Sequence, residues 1–256
     1  MTQPSKVWED GLLREFKADL HIHTCLSPCG DWEMTPRRII RQSLAAGLEL
    51  IAICDHNTCE NAAVTLQEGR RHGVAVLPGM EVCSREEVHL LALFGNMEHV
   101  LDLQSVVYAH LTGENRADVF GYQIIADETD HVLAENRRLL IGATGLSLEQ
   151  IVSHTHARRG LALCSHVDRP ANGILSQLGL IPPDLEVDGV EVSHRTPLAT
   201  ARQALPGIGS RPCVTSSDAH FLADIGRAHT VLRMAAPTLE ELALALRGEF
   251  GREILI

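Results

Sequence analysis

Residues 19–24 read Asp19-Leu20-His21-Ile22-His23-Thr24, which puts two imidazoles two positions apart at the end of a short apolar run. On an extended backbone residues i and i+2 share a face, so His21 and His23 are expected to project together while Leu20 and Ile22 point the other way. That is a chelating geometry. Its meaning depends on what the other strands bring to the same place.

Outward from this strand, short apolar runs alternate with amphipathic stretches. Residues 35–47 read as a helix with Thr35 at its N-cap, Pro36 in its first turn and Gly47 at its end, followed by the strand 48–56 and the helix 60–73. Residues 74–82 and 88–94 supply two more strands. The rhythm breaks over 95–146, where a polar helix-like segment precedes two apolar runs that flank Asp127–Asp130 as in a β-hairpin; this is expected to be an insertion or cap. It resumes with a helix whose Ser147 and Gln150 have capping-box spacing. Repeated β–α units with nearly continuous apolar strands predict a parallel sheet covered by helices, and about seven strands favour a barrel over an open sheet. At 256 residues the chain fits one such domain, 1–256.

The metal-capable residues fall at strand ends. His21 and His23 end the first strand, Asp55 and His56 the second and Glu81 the third; His89 opens its strand, His166 and the Glu191–His194 pair end later ones, and Asp218 with His220 follows the last but one. In a parallel barrel the strand C-termini meet at one mouth, so one hypothesis accounts for all these positions together. His72, His99, His110, His131 and His229 lie in helical, hairpin or unpatterned contexts and are read as ordinary side chains. Imidazole mixed with carboxylate suits zinc, manganese or iron, and there are more donors than one catalytic ion uses. More than one divalent transition metal is therefore expected.

Composition narrows the field. Hydrophobic residues make up 45% of the chain and aromatics 4%, enough for an aliphatic core. A formal net charge of -11 argues against a nucleic-acid coat or an anionic-membrane binder, both of which need surplus Lys and Arg. The N-terminal stretch lacks the apolar region of a signal peptide and no later run is long enough to span a bilayer, so a cytoplasmic protein with its seven cysteines reduced is expected. Oligomeric state is left open.

The runs "DLHIHT", "ICDHN", "PGMEV" with "VHLLAL", "CSHVDRP" and "SSDAH" resemble, in order, the successive motifs of the PHP (polymerase and histidinol phosphatase) family of metal-dependent phosphoesterases. The resemblance implies a distorted (β/α)7 TIM-like barrel of the PHP type, here with an inserted helical and β-hairpin cap, and a two- or three-metal centre at its mouth. It implies that His21 and His23 share one ion with Glu81 and Asp218, that Glu81 bridges to a second held by His89 and His166, and that His56 and His220 hold a third. The family commonly completes that third site with a His or Asp from the loop after the first strand. Here the loop reads "TCLSPCGDWE", so Cys29 and Asp31 are the alternatives.

Clustered divalent ions suit phosphoester hydrolysis. Arg169 and Arg195 follow ligand-bearing strand ends and are candidates for gripping phosphate, His194 for protonating the leaving group or orienting a ligand, and Glu191 and Asp55 for holding imidazoles. The expected substrate is a small phosphomonoester, with no membrane and no stable nucleic-acid complex. The alternatives are a nuclease on short RNA or DNA ends, or amide chemistry of the amidohydrolase kind. Against amide chemistry, no Lys occurs after Lys17 to become a carboxylated bridge.

Overall fold

A computed structural model describes residues 11–255; residues 1–10, on which the reading of the N-terminus partly rests, and Ile256 lie outside the described residues. The strands are β1 (Arg14–Ile22), β2 (Leu50–Ile53), β3 (Ala75–Cys83), β4 (His89–Leu93), β5 (Ile124–Ala126), β6 (Val132–Glu135), β7 (Leu161–Cys164), β8 (Gly189–Val192), β9 (Cys213–Thr215), β10 (Thr230–Met234) and β11 (Glu253–Leu255). The helices are α1 (Pro36–Ala45), α2 (Ala62–His72), α3 (Met97–His110), α4 (Ala117–Phe120), α5 (Leu148–Ala157), α6 (Ile174–Leu178), α7 (Ala201–Ala204) and α8 (Leu239–Arg247).

Among the described residues nine strands form one sheet in the order β11-β10-β1-β2-β3-β4-β7-β8-β9. The chain beyond β9 returns to β1, where Ile22 bridges Ala219 and the His23 amide donates to the Ala219 carbonyl at 3.0 Å, so the sheet nearly closes. The seven strands β1, β2, β3, β4, β7, β8 and β9 make the barrel wall. β10 and β11 are antiparallel additions on the outer side of β1.

One expectation is corrected: the wall is not all parallel. β4 runs antiparallel to both β3 and β7. The link from Cys83 to His89 is a short reversal, too short for the helical crossover that parallel neighbours require. This reversal is why His89 opens its strand and still reaches the mouth where the other strands end.

A second correction concerns β1. Its register against β2 shifts between Asp19 and Ile22. Leu20 packs with Phe16 and Ala18 in the cluster that draws on Leu50, Ala52, Leu91, Leu163 and α8, whereas Ile22 packs with Ile51, Ile53 and the helices α1, α2, α3 and α5. Leu20 and Ile22 therefore do not share a face. A bulge breaks the alternation and re-aims the last residues of the strand, as bulges beside active sites do.

The helix signals were faithful at α2, which ends on left-handed Gly73, and at α5, where Ser147 and Gln150 form the capping box. Thr35 stands at the N-cap of α1, but its side chain makes no capping bond. The hairpin around Asp127–Asp130 is present as antiparallel β5–β6.

Candidate metal centre

Glu81, near the end of β3, is the hub. Its Oε1 lies 3.0 Å from His166 Nε2, 3.0 Å from His89 Nδ1 and 3.4 Å from His21 Nε2; its Oε2 lies 3.0 Å from His56 Nδ1 and 3.5 Å from His23 Nε2. Each oxygen thus faces its own set of imidazoles, the arrangement of a bridging carboxylate. Asp218 Oδ1 adds contacts of 3.4 Å to His21 Nε2 and 3.2 Å to His23 Nε2. His220 stacks on His23 at 4.2 Å between ring centroids, so His23, His56 and His220 form a further group of convergent donors. Two of the candidate ligands hold positive φ, His166 at 25° and Asp218 at 49°, backbone strain of the kind that persists where a site over-determines it.

Hydrogen bonding around the cluster fixes which nitrogens face it. The Ser27 hydroxyl has one proton, and it donates to Asp55 Oδ1 at 2.7 Å, because a carboxylate only accepts. Ser27 Oγ must then accept from His23 Nδ1 at 2.9 Å, which leaves His23 Nε2 as a lone pair. His21 Nδ1 donates to Glu191 Oε1 at 3.1 Å and His220 Nδ1 to the Asp218 carbonyl at 2.9 Å, so both direct Nε2 inward.

His21 Nε2 and His23 Nε2 consequently stand 3.1 Å apart, two buried nitrogens aimed at each other. Without a cation the conflict is eased by a proton. Burial opposes charge on His21, but Glu191, Asp218 and Glu81 outweigh it and raise its pKa well above the usual histidine value; burial and neighbouring His220 hold His23 well below it. His166 Nδ1 is buried without a hydrogen-bond partner. Converging lone pairs and a shared carboxylate are what a polynuclear metal centre needs, and the donor set fits zinc, manganese or iron.

The two loop alternatives separate. Asp31 Oδ1 turns back to accept the Glu33 amide at 2.8 Å. Cys29 is exposed as a residue, yet its thiol bonds to His56 and His220; desolvation pushes that thiol up, but the two imidazoles prevail and bring it down to about 6. Of the carboxylates expected to hold imidazoles, Glu191 does so directly. Asp55 does not: it accepts from the Thr24 amide and hydroxyl and reaches His23 only through Ser27.

A cleft of about 350 Å³ opens over the cluster, lined by His56, His89, His166, Arg169, Arg195 and their neighbours. Arg169 pairs with Asp218 Oδ2 at 2.6 Å. His194 is not part of this lining; burial and the charges of Arg227, Arg195 and Arg169 lower its pKa, and no catalytic contact is evident for it. Sequence reasoning missed Ser27, and it missed Asp168, which accepts from the Ser193 amide, the Ser193 hydroxyl and the Thr196 hydroxyl at 2.7–2.8 Å and so anchors the loop that carries Arg195. Nothing in their spacing announces either residue.

A nearly closed barrel with a carboxylate-bridged histidine cluster at its mouth defines a metal-dependent hydrolase. The PHP domain pattern matches residues 19–167 and the PHP-associated pattern residues 210–249, and the chain belongs to the PHP family. An uncharacterized protein of Methanocaldococcus jannaschii is 28% identical over 184 residues, 69% of this chain and 80% of that protein. The 5'-3' exoribonuclease Rnm of Escherichia coli is 27% identical over 175 residues, 64% of this chain and 56% of the exoribonuclease. The lesion-specific endonuclease PfuEndoQ of Pyrococcus furiosus superimposes with a TM-score of 0.74 at 21% identity, over 95% of this chain and 58% of the endonuclease.

The chain thus spans little more than half of these two nucleases. Endonuclease Q is also known in complex with a 27-mer duplex carrying an abasic lesion. These relatives overturn the expectation of a small substrate with no nucleic-acid partner. Net charge does not exclude such a partner, because it averages over the whole surface and says nothing of a local site. Among the described residues no helix is long and apolar enough to cross a membrane.

Proposed function

We propose that this chain hydrolyses a phosphoester bond at an exposed nucleotide of RNA or DNA. The observation that carries the proposal is the Glu81 carboxylate shared by five imidazoles beneath a cleft whose rim bears Arg169 and Arg195. In this reading His21, His23, Asp218 and Glu81 hold one ion, Glu81, His89 and His166 a second, and His56, His220 and Cys29 a third. When bound, such ions supply a nucleophile at neutral pH and neutralise charge on the phosphoryl oxygens.

The chain's own residues do the rest. Glu191 and Ser27 lock the His21 and His23 tautomers, so these ligands are preorganised. Arg195 presents its guanidinium to the incoming phosphate, and Arg169 exchanges part of its pairing with Asp218 for a phosphate oxygen. His194 lies outside the cleft lining, and no step is assigned to it. We propose further that residues 95–146 act as a cap on a single domain. Its seven unpaired cysteines suit the reducing cytoplasm.

The test is hydrolysis of short single-stranded RNA and DNA, with 5'-phosphate or 5'-hydroxyl ends, with and without added manganese. Metal-dependent release of nucleotides is expected. Turnover of simple aryl phosphates with no oligonucleotide cleaved would refute it.

A further inference from the structure

Beside the metal centre, on the other side of the loop that carries Cys29, lies a second cavity of about 300 Å³. Its floor is apolar, formed by Cys25, Ile124 and Ala126, and its rim holds Trp32 and Tyr122, whose rings stand 5.0 Å apart. Trp32 is 64% exposed and Tyr122 49%, a concentration of aromatic surface in a chain that has only nine Phe, Tyr and Trp residues.

Two polar atoms in this apolar setting have no partner. Thr35 is buried, and its Oγ1, which stands at a helix N-cap without capping the helix, makes no hydrogen bond. Asp130 Oδ1, in the β5–β6 turn, is likewise buried and unsatisfied. Both atoms are closed to water, so neither offers the cavity a bond; Asp130, a partly exposed residue of the lining, brings the one charged side chain to it.

The geometry points to a nucleobase subsite: a planar ring stacked at Trp32 and Tyr122, with an amino-bearing edge directed at the Asp130 carboxylate. A carboxylate oxygen accepts, so it selects an edge that donates, as the amino groups of cytosine, guanine and adenine do. The placement suits a nucleotide. Pro28 lines the cavity, and the thiol of the next residue, Cys29, bonds to His56 and His220. Base and phosphate would thus occupy opposite sides of one loop. Gly121 seats the cap against that loop, since a Cβ there would meet the Pro28 carbonyl oxygen at 2.2 Å. The inference rests on the phosphoester reading of the metal centre for the position of the phosphate, but its test does not.

The probe is the free nucleoside, which carries no phosphate. In a Trp8→Phe chain Trp32 is the sole tryptophan, and its fluorescence reports the rim. Guanosine, cytidine or adenosine should quench it saturably and bind more tightly than uridine. Tyr122→Ala should weaken binding roughly tenfold, in line with the loss of one stacking partner. Asp130→Asn, whose amide also donates, should shift preference toward uridine. Absence of saturable quenching by any nucleoside would overturn the inference, as would binding indifferent to Tyr122→Ala and Asp130→Asn. Equal binding of indole would overturn it too. If nucleosides bind as described but no oligonucleotide is cleaved, the subsite stands and the proposed reaction fails.

Discussion

Replacing Ser27 by Ala tests how the metal centre is preorganised. The hydroxyl makes three buried contacts: it donates to Asp55 Oδ1 at 2.7 Å and accepts from His23 Nδ1 at 2.9 Å and from the His56 amide at 3.2 Å. Alanine leaves two buried donors unpaired, each worth about 1–3 kcal/mol, and the effects of such neighbours do not add fully, so a loss of about 2–4 kcal/mol in unfolding free energy is expected. It also frees His23 to adopt the other tautomer. Loss of an orienting partner typically weakens metal binding by about 10–100-fold, which is about 1.4–2.7 kcal/mol. Urea unfolding of the chelator-treated protein measures the first quantity, and competition between the protein and a chelator for manganese or zinc measures the second. An unfolding midpoint and a metal affinity both indistinguishable from those of the parent chain would refute the tautomer argument.

Three further outcomes follow from the same structure. Gly121→Ala places a Cβ 2.2 Å from the Pro28 carbonyl at φ +98°, so it should cost at least about 1–3 kcal/mol in thermal unfolding and slow turnover by displacing the Cys29 loop. Asp168→Ala releases the 193–196 loop and should lower kcat/KM about tenfold through Arg195 while metal content, read by elemental analysis, stays level. His156 donates to Asp188 Oδ2 at 2.9 Å, and that hydrogen bond raises its pKa. A raised histidine contributes stability that is complete below its unfolded pKa and lost as pH rises through the folded one. His156→Gln should therefore cost less than about 1 kcal/mol near pH 6, because the pair is partly exposed, and less again near pH 8.5. Unfolding curves at the two pH values check this.

How far the sequence revealed these features depended on the range of the signal. The HxH pair, the "PGMEV" glutamate and the late "SSDAH" were legible because strand ends converge in any barrel, whatever the pairing. The direction of β4 was not, since an apolar run such as "HLLAL" reads the same in both senses. Nor was the bulge in β1, which separates Leu20 from Ile22 although simple alternation puts them together. Ser27 and Asp168 act through hydrogen bonds to elements distant in sequence, and a lone Ser or Asp in a loop carries no periodic mark. The cavity at Trp32 and Tyr122 joins two segments about ninety residues apart, a contact that only the folded chain reveals. Thr35 was read as a helix cap, correctly for its position, but its hydroxyl serves no cap.

The most direct test of the metal centre is elemental analysis of the chain after saturation with zinc, manganese or iron and removal of loosely held ions, comparing the parent with Glu81→Gln. The parent should retain about two or more equivalents, and the variant should lose more than a single terminal ligand would explain, because Glu81 is shared. Fewer than about one equivalent in the parent, or a variant that holds as much metal as the parent, would contradict a centre built around Glu81.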